Sequence, residues 1–228
     1  MKGEKCVAVL SGGPDSSTVA YWAKKQGYEV YAITYNYGQR AVKEIEYACR
    51  IAERLGIPIK VVNLSSLKEI FEGATSLCDE KIPVTESFSQ PLIVPFRNAI
   101  FLSIAVAYAM SIGATRVFYG AQASDRPFYP DCRREFYKSF EQAAKLGTER
   151  NITVEAPFSG IPKSEIIKIG FKLGVPFDLT WSCYLNGERH CGRCESCLNR
   201  KRAFEEAKMP DPTEYENKEP CLGSSAHF

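Results

Sequence analysis

The sequence has no excess of charge of either sign: 29 lysines and arginines against 27 aspartates and glutamates leave a formal net charge of +2 over 228 residues. Such a balance is not that of a nucleic-acid or membrane-surface binder. The basic run Arg200-Lys201-Arg202 lies beside Glu205 and Glu206, the pattern of a solvated helix face. No apolar run reaches the length that spans a bilayer, about 20 residues. The longest, Ala99 to Met110, predicts a buried helix. The apolar run that ends at Leu10 is cut off by Ser11-Gly12-Gly13, too soon for a signal-peptide core, so the expected location is the cytoplasm. Two common nucleotide signatures are also missing. There is no Gly-Lys-Ser/Thr of a Walker A loop and no Gly-x-Gly-x-x-Gly dinucleotide fingerprint, and no internal repeat.

What is present is the composition of a soluble globular protein, 45% hydrophobic and 25% charged. The length suits one domain, or one domain with a small appendage. Cys6 to Leu10 reads as a strand, then a glycine turn and a helix from about Ser16 to Gln26. Glu29 to Tyr35 reads as a second strand. Ala41, Ile45, Ala48, Ile51, Ala52 and Leu55 recur at helical spacing until Gly56 and Pro58. Further strands are predicted at Ile59–Val62, Arg116–Tyr119 and Ile152–Glu155. Helices are predicted at Asn98–Ile112, Glu135–Leu146, Lys163–Leu173 and about Glu195–Lys208. This alternation predicts an α/β fold, a doubly wound parallel sheet with a small cysteine-rich and helical region at the carboxy end. The expected division is 1–180, 181–210 and a tail, 211–228, without order. Gly73–Pro95 and Ala121–Arg134 carry no periodicity; the first is expected to be a long loop over the sheet edge, and loops of that length are usually functional or disordered.

The first strand and helix are joined by Ser11-Gly12-Gly13-Pro14-Asp15-Ser16-Ser17. In an open α/β sheet ligands bind at the carboxyl ends of strands, where a helix amino terminus offers free N–H groups and a positive dipole to an anion. The glycines let the backbone approach phosphate oxygens, and Ser11, Ser16 and Ser17 add hydroxyl donors. Asp15 would repel phosphate unless a cation such as Mg²⁺ lies between them. A plain capped turn is the bland alternative for two glycines alone; the full string points to nucleotide binding.

Five of the nine cysteines are scattered (Cys6, Cys49, Cys78, Cys132, Cys221), while Cys183, Cys191, Cys194 and Cys197 crowd together. In a reducing compartment such a cluster reads as a metal site. Four thiolates close a tetrahedral zinc shell and leave no open position, so the role is structural. An iron–sulfur cluster is the rival, since Cys-x-x-Cys-x-x-Cys also serves ferredoxins, but here the fourth cysteine lies upstream and Leu198 follows Cys197. His190 reads as a loop residue.

The Ser-Gly-Gly-x-Asp-Ser string resembles the PP-loop ATP pyrophosphatases, which hold the pyrophosphate of ATP and leave the α-phosphorus open to attack. Five more strings narrow the resemblance to the 7-cyano-7-deazaguanine synthases. They are Tyr35–Arg40, Val94–Asn98, Tyr129–Arg133, Pro162–Ile166 and Thr180–Tyr184, the last leading into the cysteines. The similarity runs from about Lys5 to Phe204 and departs at Phe96, where the family usually has glycine. The segment Ala121–Arg126 also departs from the family's commonest acidic version, and Asp125 is its retained carboxylate.

The resemblance implies conversion of 7-carboxy-7-deazaguanine, ammonia and ATP, with Mg²⁺, into a nitrile, through two adenylations at one site. It places ATP against Leu10, Ser11, Gly12, Gly13, Pro14, Asp15, Ser16, Ser17, Thr18, Val19, Ala20 and Arg40. Asp15, Arg97 and Lys163 become the catalytic candidates, with Arg40 a third cation for the phosphates. The base needs a carboxylate opposite its N–H donors and an aromatic face. Asp131 and Asp125 are candidates for the first and Tyr129 or Phe128 for the second, with Arg133 in the same loop. Asp131 could instead cap the helix that starts near Glu135. Two rivals stand beside this reading: a tRNA-modifying thiolase, for which Cys132 is the one persulfide candidate outside the cluster, and a zinc-dependent nucleic-acid module. The sequence leaves a homodimer open.

Overall fold

The computed structural model describes residues 3–217; the Cys221–Phe228 part of the expected tail lies outside the described residues. Five parallel strands, β1 (Lys5–Val9), β2 (Glu29–Asn36), β3 (Ile59–Asn63), β4 (Arg116–Phe118) and β5 (Thr153–Glu155), form one sheet in the order β3-β2-β1-β4-β5. The predicted doubly wound sheet is what forms. The order reverses between β1 and β4, so the crevice at their carboxyl ends is the switch point where such sheets take ligands.

Alternation along β1 sends Cys6 and Ala8 to one face and Val7 to the other, the period-two geometry of a strand. On the first face lie α1 (Pro14–Lys25), α2 (Lys43–Leu55) and α6 (Lys163–Leu173), contributing Val19, Ala20, Ala48, Ile51 and Ile166. The second face is covered by α4 (Arg97–Ile112) and α5 (Arg134–Thr148). Along α4, Ala99, Leu102, Ala105, Val106 and Ala109 form the buried stripe, and full burial of a side chain such as Leu102 contributes about 1.5–3 kcal/mol relative to exposure. By length and composition alone the stretch Gln90–Ile112 passes as a membrane-crossing helix, with a mean hydropathy of 1.7, which the shorter apolar run did not suggest. Its backbone is broken, however: Ile93 is extended and Phe96 left-handed, and α4 packs on β1 and β4.

That left-handed residue explains the departure at Phe96. Its φ is 56°, a conformation that costs a side-chain-bearing residue about 1–2 kcal/mol and glycine nothing. Phe96 remains exposed, with its ring edge-on to Phe136. A short helix, α3 (Leu67–Phe71), follows β3 and had no periodic signal. Within the expected loop 73–95, Thr75, Ser76, Leu77 and Cys78 are buried.

The carboxy-terminal region departs most from expectation. The last helix, α7 (Glu195–Ala207), packs on α6. Arg200 is not on a solvated face: it is 0% exposed and pairs with Asp211 at 3.1 Å. Residues 211–217, expected without order, are accordingly held in place, with the Glu216 N–H donating to the His190 carbonyl. A polar run on a helix looks solvated in sequence, whereas here the returning chain supplies the charge that lets one arginine go inside.

Candidate functional site

The phosphate loop is built as a strand–turn–helix, with Pro14 at the first helical position of α1 and no side chain capping the helix end. Its first N–H groups therefore have no intrahelical partner. Gly12 has φ +81°, and a Cβ there would lie 2.4 Å from the Glu44 carbonyl oxygen, so only glycine fits. Gly13 is different: it is extended, and its nearest neighbours to an added Cβ are at 3.6 Å. Of the serines, Ser11 and Ser16 face the crevice with hydroxyls 3.0 Å apart. The Ser17 hydroxyl instead donates to the Gly13 carbonyl at 2.8 Å. Ser17, Thr18, Val19 and Ala20, expected at ATP, are buried in α1 and do not line the crevice, whereas Leu10, Ser11, Gly13, Pro14, Asp15 and Ser16 do. A helix exposes only its first turn to an end-on ligand, so a contiguous string overcounts contacts.

At the mouth of α1, Asp15 Oδ2 meets Lys163 Nζ at 3.0 Å, while Asp15 Oδ1 is buried without a hydrogen-bond partner. Asp125 completes the cluster and accepts from Gln122 Nε2 at 2.9 Å. Burial, and then the neighbouring Asp15 charge, push the Asp125 carboxyl up to about 7. Burial opposes the Lys163 charge, but Asp15 and Asp125 more than offset it, so its pKa rises. An unpartnered carboxylate oxygen facing a phosphate loop is the donor type that Mg²⁺ takes, since that ion binds through one or two carboxylates and substrate phosphates.

The crevice continues to a second charged group. Arg97, the first residue of α4, lies over the rings of Tyr37 and Phe101 at 5.9 and 5.8 Å and donates to the Tyr37 hydroxyl at 3.4 Å. Burial works against its charge, yet Tyr37, Asp131 and Glu44 together raise its pKa. Glu44 also lines the crevice, and burial pushes its carboxyl up to about 7. Sequence reasoning missed it, although a signal was there. Glu44 precedes Ala48, Ile51, Ala52 and Leu55 at helical spacing, so it extends the buried stripe of α2 with an acid. Gly120 was missed as well; an added Cβ would stand 2.9 Å from the Ser16 nitrogen, and a glycine directly after a strand was its clue.

Several expected contacts are spent elsewhere. Arg40 donates to the carbonyls of Ser76 and Ile82, both at 3.3 Å, and fastens that loop instead of lining the crevice. Arg133 likewise holds the carbonyls of Arg126 and Pro127. Asp131 Oδ2 accepts from the Asn98 N–H at 3.0 Å, so it caps α4, not the helix that starts near Glu135, and it does not line the crevice. Phe128 is exposed and packs on Phe88. Tyr129, in contrast, does face the crevice, beside Tyr184, Glu195 and Asn199.

The last three residues come from the cysteine-rich region, which thus forms one wall of the crevice. The sulfurs of Cys183, Cys191, Cys194 and Cys197 all lie within 4.8 Å of one another. The pairs Cys191–Cys197 and Cys194–Cys183 are at 3.9 and 4.0 Å. A tetrahedral zinc with bonds of about 2.3 Å sets its sulfurs about 3.8 Å apart, close to these values. Backbone N–H groups of Leu185, Cys191 and Cys194 point at the sulfurs, the outer-shell donors that steady a thiolate site. The region is tied to the phosphate loop by the Trp181 N–H, which donates to the Gly12 carbonyl at 2.9 Å. His190 is buried against Trp181 and accepts from the Ser182 N–H, so it props the wall and is not one of the clustered sulfur groups that could hold a metal.

Comparison with known proteins agrees with this arrangement. The chain is 44% identical over 215 residues to the 7-cyano-7-deazaguanine synthase of Caldicellulosiruptor bescii, covering 93% of this chain and 97% of the relative. It is 45% identical over 226 residues to the enzyme of that name from Thermoplasma acidophilum, covering 95% and 94%. Among solved structures it shares its fold with NMN synthetase from Francisella tularensis, at TM-score 0.53 and 17% identity over 92% of this chain and 79% of the other. It shares it also with the U34-tRNA thiolase NcsA from Methanococcus maripaludis with its [4Fe-4S] cluster, at TM-score 0.52 and 17% identity over 100% and 79%. At the family level, the pattern of the queuosine biosynthesis protein QueC matches residues 5–208. With a family match over residues 5–208 and relatives at 44–45% identity over most of their length, the chain belongs to the QueC family.

Proposed function

We propose that this chain converts 7-carboxy-7-deazaguanine, ammonia and two ATP into 7-cyano-7-deazaguanine, two AMP and two pyrophosphates. The observation that carries the reading is one crevice that joins the α1 phosphate loop, with its Asp15–Lys163 pair, to a wall of aromatic and acidic side chains. A carboxylate oxygen of the substrate attacks the α-phosphorus of ATP and pyrophosphate leaves. Ammonia then attacks the acyl carbon, AMP leaves and a proton is lost, giving the amide. The amide oxygen attacks a second ATP, pyrophosphate leaves again, and loss of AMP and a proton gives the nitrile. Each attack concentrates negative charge on phosphate oxygens, which Lys163 beside the loop offsets in a desolvated site, with Arg97 further along the crevice adding a positive field. Asp15 orients Lys163 and would hold Mg²⁺ through its unpartnered Oδ1; the ion supplies charge neutralisation at the phosphates when bound.

The four-cysteine site holds one structural zinc in this reading. A [4Fe-4S] cube spreads its cysteine sulfurs over four irons, wider than the clustering within 4.8 Å described above. Cys132 supports this chemistry over a thiolase: it is buried, and burial raises its thiol pKa well above the ordinary value, so it is not the thiolate a persulfide carrier needs. Cytoplasmic location and small-molecule partners without nucleic acid or membrane follow from the same reading, and a homodimer is compatible with it.

The test is substrate-dependent pyrophosphate release. The wild type releases pyrophosphate with 7-carboxy-7-deazaguanine and not with tRNA, and Asp15→Asn loses that release while keeping its fold by circular dichroism. Asp15→Asn with turnover near wild type would sink the assignment. Elemental analysis checks the metal: one zinc per chain, absent in Cys194→Ser, against iron with labile sulfide.

A further inference from the structure

We infer that Glu44 is the specificity-determining residue that reads the donor edge of the base, its ring N–H and exocyclic amine. This rests on the proposed substrate. A deazaguanine presents two parallel N–H donors on the edge remote from its reacting carboxylate, and a carboxylate accepts both at once. Adenine presents a lone pair where guanine has its ring N–H, so a carboxylate at that place also rejects the wrong ring.

Four carboxylates line the crevice, Asp15, Asp125, Glu195 and Glu44. Asp15 and Asp125 share Lys163 at the phosphate end, where the reacting group must lie. Glu195 already accepts from the Tyr184 hydroxyl at 3.0 Å through Oε2 and from Asn199 Nδ2 through Oε1. Glu44 has neither arrangement: it lines the crevice, among the described residues no cation pairs with it, and Arg97 and the Gln39 amide only favour its charge.

Gln39 itself is fixed. It is buried, its carbonyl accepts from the Tyr37 N–H at 2.8 Å, and its Nε2 donates to the Tyr35 carbonyl at 3.1 Å. The Gln39 amide favours the charge of Glu44 beside it. Arg97 stands near, over the Tyr37 and Phe101 rings, and gives Glu44 a favourable field without a direct pair. Burial with so little compensation also raises the Glu44 pKa, as a site does when its hydrogen-bonding partner is a ligand.

The experiment compares 7-carboxy-7-deazaguanine with its analogue lacking the 2-amino group, in wild type and in Glu44→Gln. Wild type should prefer the parent by on the order of 100-fold in kcat/KM, because a site built for an N–H donor rejects the analogue without it. In Glu44→Gln the parent should fall by on the order of 100-fold, the analogue by far less, and ATP affinity without the base should stay within about twofold. Equal losses for both substrates, or a parallel loss of ATP affinity, would overturn the inference. So would a wild type that does not discriminate, a measurement that needs no folded variant. Wild type that binds ATP but never uses the deazaguanine would overturn the functional reading and this inference with it. Normal turnover with discrimination unchanged in Glu44→Gln overturns the inference alone.

Discussion

Arg200→Met should be among the most damaging substitutions outside the crevice. The guanidinium is wholly buried and pairs with Asp211, donates to the Thr180 hydroxyl at 2.7 Å and to the Phe177 carbonyl at 2.9 Å, and lies 5.0 Å from the Phe204 ring. Methionine fills most of the volume but leaves the Asp211 carboxylate, 14% exposed, without its cation. Removing one partner of such a pair costs about 3–5 kcal/mol, a large part of a net stability of about 5–15 kcal/mol. For a chain of this size about 2–4 °C accompanies each kcal/mol, so the melting temperature should fall by about 6–20 °C. Thermal melting and urea unfolding read the loss directly. The double variant Arg200→Met/Asp211→Asn removes the orphaned charge, and the cycle should show a coupling of about 0.5–3 kcal/mol. A single variant melting within about 2 °C of wild type would refute the claim that a buried charge pair locks this region.

Gly12→Ala should abolish turnover, because its Cβ would meet the Glu44 carbonyl at 2.4 Å, whereas Gly13→Ala, with its nearest atoms at 3.6 Å, should fold and bind ATP; ATP titration of the two purified variants decides. Asp131→Asn should lose about 1 kcal/mol as a weakened α4 cap while steady-state kinetics hold, and a selective loss of deazaguanine turnover would return Asp131 to base recognition. Asp125 and Glu44, both pushed up to about 7, have unfolded values near 4, so the folded state binds more protons between those limits. Stability of the ligand-free protein from these groups is present below pH about 4 and lost as pH rises through about 7. Melting from pH 5 to 8 should show the decline, and Asp125→Asn should flatten it; an unchanged slope would mean Asp125 does not titrate there.

The two periodicities and the two motif strings were legible because they depend on neighbours in sequence. Strand alternation and the helical spacing from Ala41 to Leu55 announced the sheet and its covering helices. Cysteines three residues apart announced a cluster able to hold a metal, since one turn of chain brings such residues together. The phosphate loop was legible as a string, but not which of its members face the ligand: α1 turns Ser17, Thr18, Val19 and Ala20 inward after one turn. Phe96 marked a departure from the family whose meaning, a left-handed backbone, became visible only in φ.

What the sequence by itself determined is therefore the fold class, the nucleotide loop and the four cysteines that come together in one cluster. Tertiary structure decided which charges are free to act. Arg40, Arg133 and Asp131 looked as available as Arg97 and Lys163, but loop carbonyls and a helix end take them. Arg200 looked solvated and is buried; Glu44 looked like an ordinary helix acid and stands in the crevice. A side chain's charge is written in its residue type, but its partners come from segments distant in sequence, and those partners set whether it binds substrate or holds the fold. Local pattern therefore specifies elements and motifs, and only long-range packing assigns the polar groups between structure and chemistry.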